Sequence, residues 1–233
     1  MNKPRVCAII LAAGISARMN CDTTKQLIRI AGESVIRHTV RAFIGAETIT
    51  DIVVVARQDE ISLIEKELSD LSDKLMSIVV GGKCRAESAK IGFCEALSIA
   101  DFVAIHDGAR CLVTPEMIDA VVSAAITYGA ASAGMPVTDT VKKIDGDLII
   151  KGTVRRDELY FTTTPQVFST ELYERALREY CIDMSLVTDD NMLVEALGVK
   201  IKLVDCGREN VKITMAHDLD YAEFLFEKRK RDA

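Results

Sequence analysis

Short apolar runs recur along this chain, and each is followed by a segment with helical spacing. Val6–Leu11, Ile52–Val55, Met76–Val80 and Phe102–Ile105 have strand length and little polar alternation, the pattern of strands covered on both faces. Ile36, Val40, Phe43 and Ile44 share one face of a helix expected over about Ser34–Ile44. Ile61, Ile64 and Leu68 mark a second helix, and Glu87–Leu97 a third. Thr114-Pro115-Glu116 opens a fourth, with a capping hydroxyl, a proline suited to the first turn and an acid favoured by the helix dipole. Strands alternating with helices fold as right-handed βαβ units. The expected class is therefore α/β, a single doubly wound, mostly parallel Rossmann-like sheet with helices on both faces. Ligands of such sheets bind beyond the carboxyl ends of the strands.

The alternation stops after Met135-Pro136. Val141–Ile144, an Asp145-Gly146 turn, Leu148–Ile150 and Gly152–Val154 read instead as a protruding hairpin within Thr138–Thr162. A lone hairpin is marginal in water, so this arm is expected to pack on a second subunit. Helical spacing returns at Glu171–Arg178 and Asp189–Leu197, followed by a strand at Lys200–Val204 and a last helix from about His217. Its basic tail, Lys228–Arg231, reads as a solvated last turn. No linker or repeat divides the 233 residues, which read as one domain with a β-arm at about 138–162. At 49% hydrophobic and 27% charged residues the chain can bury a core and is not disordered. A net charge of −6 argues against a nucleic-acid partner. No run approaches the roughly 20 apolar residues of a membrane span, and no signal peptide precedes the first strand. Seven cysteines without a C-x-x-C pair, beside three histidines, suggest reduced thiols in the cytoplasm rather than a zinc site.

Three loops carry chemistry. Ala12-Ala13-Gly14 ends the first apolar run, and Arg18, Lys25 and Gln26 follow. Small residues let backbone N–H groups approach phosphate oxygens, while one cation offers a planar fork and the other a point charge. Gly81-Gly82-Lys83-Cys84-Arg85, with Ser88, is a second glycine-and-cation loop, and His106-Asp107-Gly108-Ala109-Arg110 ends a buried strand. Each feature has an ordinary reading as well. A glycine after a strand is common punctuation, an aspartate can cap a turn, and Thr188-Asp189-Asp190 suits a helix N-cap. His106 reads as a packed strand-end residue, and Arg155 on the hairpin as solvated. The chain has neither G-x-x-x-x-G-K-[ST] nor G-x-G-x-x-G.

These stretches resemble the nucleotidyltransferases that activate sugars and polyols, and within them the 2-C-methyl-D-erythritol 4-phosphate cytidylyltransferase family. Its pattern A-A-G-x-G-x-R-M is met at Ala12, Ala13, Gly14, Arg18 and Met19, with Ser16 at the second glycine. Its P-K-Q is met at Lys25 and Gln26, with Thr24 at the proline, and G-G-x-x-R-x-x-S at Gly81, Gly82, Arg85 and Ser88. H-D-A-A-R-P is met at His106, Asp107, Ala109 and Arg110, with Gly108 and Cys111 as departures, and Gly207–Thr214 matches the closing signature. The resemblance implies transfer of a cytidylyl group from CTP to 2-C-methyl-D-erythritol 4-phosphate, releasing pyrophosphate. It gives catalysis to Arg18, Lys25 and Lys212, and nucleotide binding to Ala12, Ala13, Gly14, Gly81, Gly82, Arg85 and Ser88. Asp107 would hold Mg2+. The acceptor would meet Arg110, Thr140, Arg156, Thr164 and Thr188, with Thr140 and Arg156 arriving from the partner's arm in a homodimer. Arg155 stands where the family carries an aspartate. A ribitol 5-phosphate cytidylyltransferase and a catalytically silent nucleotide-binding protein are the competing readings.

Overall fold

A computed structural model describes residues 3–14, 24–71, 74–180 and 183–232. In chain order the elements are β1 (Val6–Leu11), β2 (Arg29–Ile30), β3 (Glu33–Ser34), α1 (Val35–Gly45), β4 (Asp51–Ala56), α2 (Ile61–Leu68), β5 (Leu75–Val80), α3 (Arg85–Ala96), β6 (Phe102–Asp107) and α4 (Pro115–Tyr128). They continue with β7 (Ala130–Pro136), β8 (Lys142–Ile144), β9 (Ile150–Thr153), β10 (Tyr160–Ser169), α5 (Thr170–Glu179), α6 (Asn191–Glu195), β11 (Lys202–Asp205) and α7 (Ala216–Asp232).

Seven strands form one sheet in the order β11-β7-β10-β6-β1-β4-β5. All neighbours run parallel except β10, which is antiparallel to both β6 and β7. Alternate residues of β1 feed opposite layers: Val6, Ala8 and Ile10 pack with α1, α2 and α4, while Cys7, Ile9 and Leu11 pack with α3, α5 and α6. This two-sided burial is what the unbroken apolar runs encode. The expected caps form at Ser34, which accepts from Arg37 N–H at 3.3 Å, and at Thr114, which accepts from Met117 N–H at 3.4 Å. Gly129, at φ +83°, closes α4 in the left-handed conformation.

Several expectations are corrected. Helical spacing gives no sign of β7 and β10, which carry the far half of the sheet. Small residues in Ala130–Gly134 suit a helix as well as a strand, and β10 contains Pro165, which its register shift between Thr162 and Gln166 accommodates. The extended segment at Leu148–Ile150 is shorter than expected: Leu148 lies in the turn at φ +62°, and β9 begins at Ile150. The helix expected at Asp189–Leu197 spans only Asn191–Glu195. The basic tail is not wholly solvated, because Arg229 bonds Leu112 O and Glu209 at 3.0 Å each. No helix among the described residues is long and apolar enough to cross a membrane.

Candidate active site

The chain runs from β1 to β4 and β5 on one side, then returns to β6 on the other. The topological switch point therefore lies between β1 and β6. Beyond their carboxyl ends Gly108 N–H donates to Leu11 O at 2.8 Å, and Ala12 N–H to Val55 O at 2.7 Å, fixing the two loops side by side. A hollow of about 260 Å³ opens there, lined by Ala13, Gly14, Lys25, Gly82, Arg85 and Lys212, among others. A second, of about 240 Å³, is lined by Arg110, Thr164, Gln166, Thr188 and Asp189. Arg85, Asp107 and Lys212 line both hollows.

Glycines give the first hollow its shape. A Cβ on Gly81 would sit 2.5 Å from the Ala13 Cβ, and one on Gly82 would sit 2.4 Å from the Glu87 Cβ. Ser88 Oγ accepts from Gly82 N–H at 3.1 Å and donates to Cys84 O at 3.0 Å. Ser88 thus holds the loop, and Ala12 and Gly81 stand behind the wall, while Ala13, Gly14, Gly82 and Arg85 form it. Ala12 is buried in the core.

Asp107 is the electrostatic centre. Its Oδ1 accepts from Arg85 Nε at 3.0 Å, its Oδ2 from Lys212 Nζ at 2.7 Å, and Arg110 Nε lies 3.8 Å away. Burial opposes ionisation, but Arg85 and Lys212 outweigh it and hold the carboxyl well below the usual range. Arg85 also donates through Nη1 to Asp190 at 2.7 Å, while its Nη2 is buried without a partner. Burial lowers the pKa of Arg85 less than the two aspartates raise it. Sequence reading gave Asp107 only a metal and Arg85 only the nucleotide; the structure adds their pairing with each other.

In the second hollow Thr164 Oγ1 accepts from Asp107 N–H at 3.0 Å and lies 3.1 Å from His106 Nδ1. Burial pushes His106 down to about 3, so the ring is neutral. Its Nε2 faces the Arg110 carbonyl at 3.3 Å and must carry the proton, so Nδ1 accepts from Thr164. Asn210 completes the circuit, donating to Thr164 O and accepting from Arg110 Nη1, each at 2.8 Å. Thr188 lines the hollow but does not cap α6; Asp189 accepts from Met192 N–H at 3.2 Å instead.

Lys25 and Lys212 meet in one hollow, as expected, whereas Arg18 lies outside the described residues. Thr140 and Arg156 reach neither hollow of their own chain: Thr140 is exposed and Arg156 donates to Thr138 O at 2.6 Å. Arg155 pairs with Asp157 in solvent, as its solvated reading holds. The sequence pointed to Asp190 only as part of a helix N-cap and to Asn210 only within the closing signature, because aspartate before a helix is a common feature. No group of three or more His, Cys, Asp or Glu among the described residues is placed to hold a metal. Asp107 alone still suits magnesium, which keeps waters and takes phosphate oxygens as ligands.

Residues 6–228 match the family model for 2-C-methyl-D-erythritol 4-phosphate cytidylyltransferase. The chain is 40% identical to the protein of that name from Caldanaerobacter subterraneus subsp. tengcongensis, over 96% of this chain and 99% of the relative. The corresponding Clostridium novyi protein is 37% identical over 96% and 97%. A crystal structure of 4-diphosphocytidyl-2C-methyl-D-erythritol synthase from Anaerococcus prevotii superposes with a TM-score of 0.86 at 27% identity, over 97% of this chain and 100% of that one.

Proposed function

Because the chain belongs to the 2-C-methyl-D-erythritol 4-phosphate cytidylyltransferase family, we propose that its first hollow holds CTP and its second the polyol phosphate that receives the cytidylyl group. The observation that carries this reading is charge: Lys25, Lys83, Arg85 and Lys212 line one hollow against a single acid, Asp107, on a chain of net charge −6. A triphosphate matches such a concentration of cations.

The acceptor phosphate is already an anion near neutral pH, so no activated nucleophile is needed. One of its oxygens attacks the α-phosphorus of CTP, the bond to the bridging oxygen breaks, and pyrophosphate leaves with that electron pair. Catalysis then rests on aligning two repelling phosphates and neutralising the charge that builds between them. Lys25 and Lys212 supply the neutralisation from this chain, joined by Arg18 from the family's loop. Arg110 and Thr164, tied through His106 and Asn210, orient the acceptor. Asp107 would hold Mg2+, which supplies further positive charge at the phosphates.

The arm completes the site from a second copy. Leu148, Ile149 and Ile150 are 75%, 61% and 62% exposed, an apolar surface suited to burial in a homodimer. Docked there, the arm carries Thr140 and Arg156 to the partner's acceptor hollow. This reading places the reaction in the cytoplasm, in keeping with the free thiols of Cys7, Cys111 and Cys206.

Pyrophosphate release from CTP tests the assignment, with methylerythritol phosphate, ribitol 5-phosphate or no acceptor. The expected result is release with methylerythritol phosphate at least about a hundredfold faster than with ribitol phosphate, as sites that pair polar substrate groups discriminate strongly. Equal rates would move the assignment to the ribitol enzymes. Absence of release with either acceptor would leave a silent nucleotide-binding protein.

A further inference from the structure

Asp190 touches neither hollow, yet it is fully buried beneath both of them. Its Oδ2 accepts from Arg85 Nη1 at 2.7 Å and its Oδ1 from the Tyr173 hydroxyl at 2.6 Å. Its own N–H donates to Gln166 Oε1 at 2.9 Å. Tyr173 is itself fully buried, stacked on Phe168 with ring centroids 5.4 Å apart and edge-on to Phe93 at 5.0 Å. The carboxylate is therefore held from the core side by a ring that cannot turn, and it presents one oxygen to one guanidinium. A buried carboxylate is stable only when paired, so its place beneath Arg85 is a structural commitment.

Arg85 joins what the sequence separates. It opens α3 on the nucleotide side, its Nε orients Asp107, and it lines both hollows. Its Nη2 is buried without a partner, so the grip on the guanidinium comes through Nε and Nη1 alone. An unrestrained arginine has many rotamers, whereas a fork gripped by two carboxylates has one. Asp190 also follows Thr188 and Asp189, which line the acceptor hollow. We propose that Asp190 is a positioning residue for nucleotidyl transfer: it fixes Arg85, and through Arg85 the Asp107 carboxylate, so that the acceptor loop and the nucleotide wall share one geometry. This inference rests on the transferase reading given above.

A double-mutant cycle tests it, with kcat and KM for CTP measured on the full-length wild type and on D190N, R85Q and the double variant. Asp190→Asn keeps a similar shape and loses the charge. If it acts through Arg85, D190N lowers kcat/KM by about 10²-fold, R85Q by at least as much, and the double variant no further than R85Q alone. Effects that multiply would overturn the proposal, as would D190N turnover within about threefold of wild type. Tyr173→Phe separates position from packing: it removes the other hydrogen bond but keeps the ion pair, so kcat/KM stays within about threefold even if the melting temperature falls. A Y173F loss equal to that of D190N would make the role one of core packing. If D190N does not fold, Y173F and R85Q still decide, because the proposal requires R85Q to be crippled and Y173F to be active. A wild type that releases no pyrophosphate would instead sink the transferase reading, not the cycle.

Discussion

His106 shows how one side chain can hold a site without touching a substrate. Neutral and fully buried, it links Thr164 to the Arg110 carbonyl, while Thr164 receives the N–H of Asp107. Protonation would put a second donor on the ring and break the bond from Thr164. The unfolded histidine titrates near 6.5 and burial pulls the folded one down to about 3, so between those values only the unfolded chain takes up the proton. Stability from this group is complete above the unfolded value and falls as the pH drops below it, by up to about 1.4 kcal/mol per pH unit. Burial shifts His38 in the same direction. Asp107, held low, contributes stability that is lost only at pH values below its ordinary value of 3.8. Melting temperatures measured from pH 7 to pH 5 should therefore fall in the wild type and fall less steeply in H106Q. Parallel curves would show that the ring titrates alike in the folded and unfolded chain.

At the scale of elements, α3 places the nucleotide wall, and Gly92 sets its distance from the sheet. A Cβ there would lie 2.4 Å from Ile9 Cγ2 and 2.8 Å from Val55 Cγ2, both fully buried side chains, of β1 and β4. Alanine in place of a helical glycine gains about 1 kcal/mol in propensity, whereas overpacking against stiff β-branched neighbours costs about 1–3 kcal/mol. The clash wins, so G92A should lower the denaturation midpoint; a raised midpoint would mean that the helix is free to move outward. The arm makes the opposite case, because its apolar residues contribute nothing to a single chain. Replacing Leu148 and Ile150 by aspartate should leave the melting transition of the subunit in place. On the proposed dimer, sedimentation should then shift toward monomer, and transfer should fall with it because Thr140 and Arg156 no longer reach a partner. An unchanged dimer with unchanged transfer would place the contact elsewhere.

For the whole molecule, the parallel half of the sheet was legible because Val6–Leu11, Ile52–Val55 and Phe102–Ile105 are apolar on both faces. Of the other half only β11 was, as the strand expected at Lys200–Val204. Ala130–Pro136 lacks the branched residues that mark strands, and Tyr160–Ser169 mixes threonines with a proline, so only the pairing of β10 with β6 and of β7 with β10 reveals them. The site divides in the same way. Lys25 and Lys212 could be read from the loops and the family pattern, because cations suit phosphates whatever their neighbours, and Asp107 from the family pattern alone. The pairing of Lys212 with Asp107, and the hold of Asp190 on Arg85 across 105 positions, arise from tertiary contacts to which no local spacing points. The site thus carries its own counter-ion, and on the proposed reading a triphosphate would compete with Asp107 for Lys212.

The most direct measurement is calorimetric titration of CTP into the wild type and into a variant carrying Lys25→Ala and Lys212→Ala. Losing two hydrogen bonds to charged groups removes about 3–6 kcal/mol, so the variant should bind CTP at least about a hundredfold more weakly while remaining folded. Binding within about threefold of wild type would contradict the claim that these two lysines grip the triphosphate.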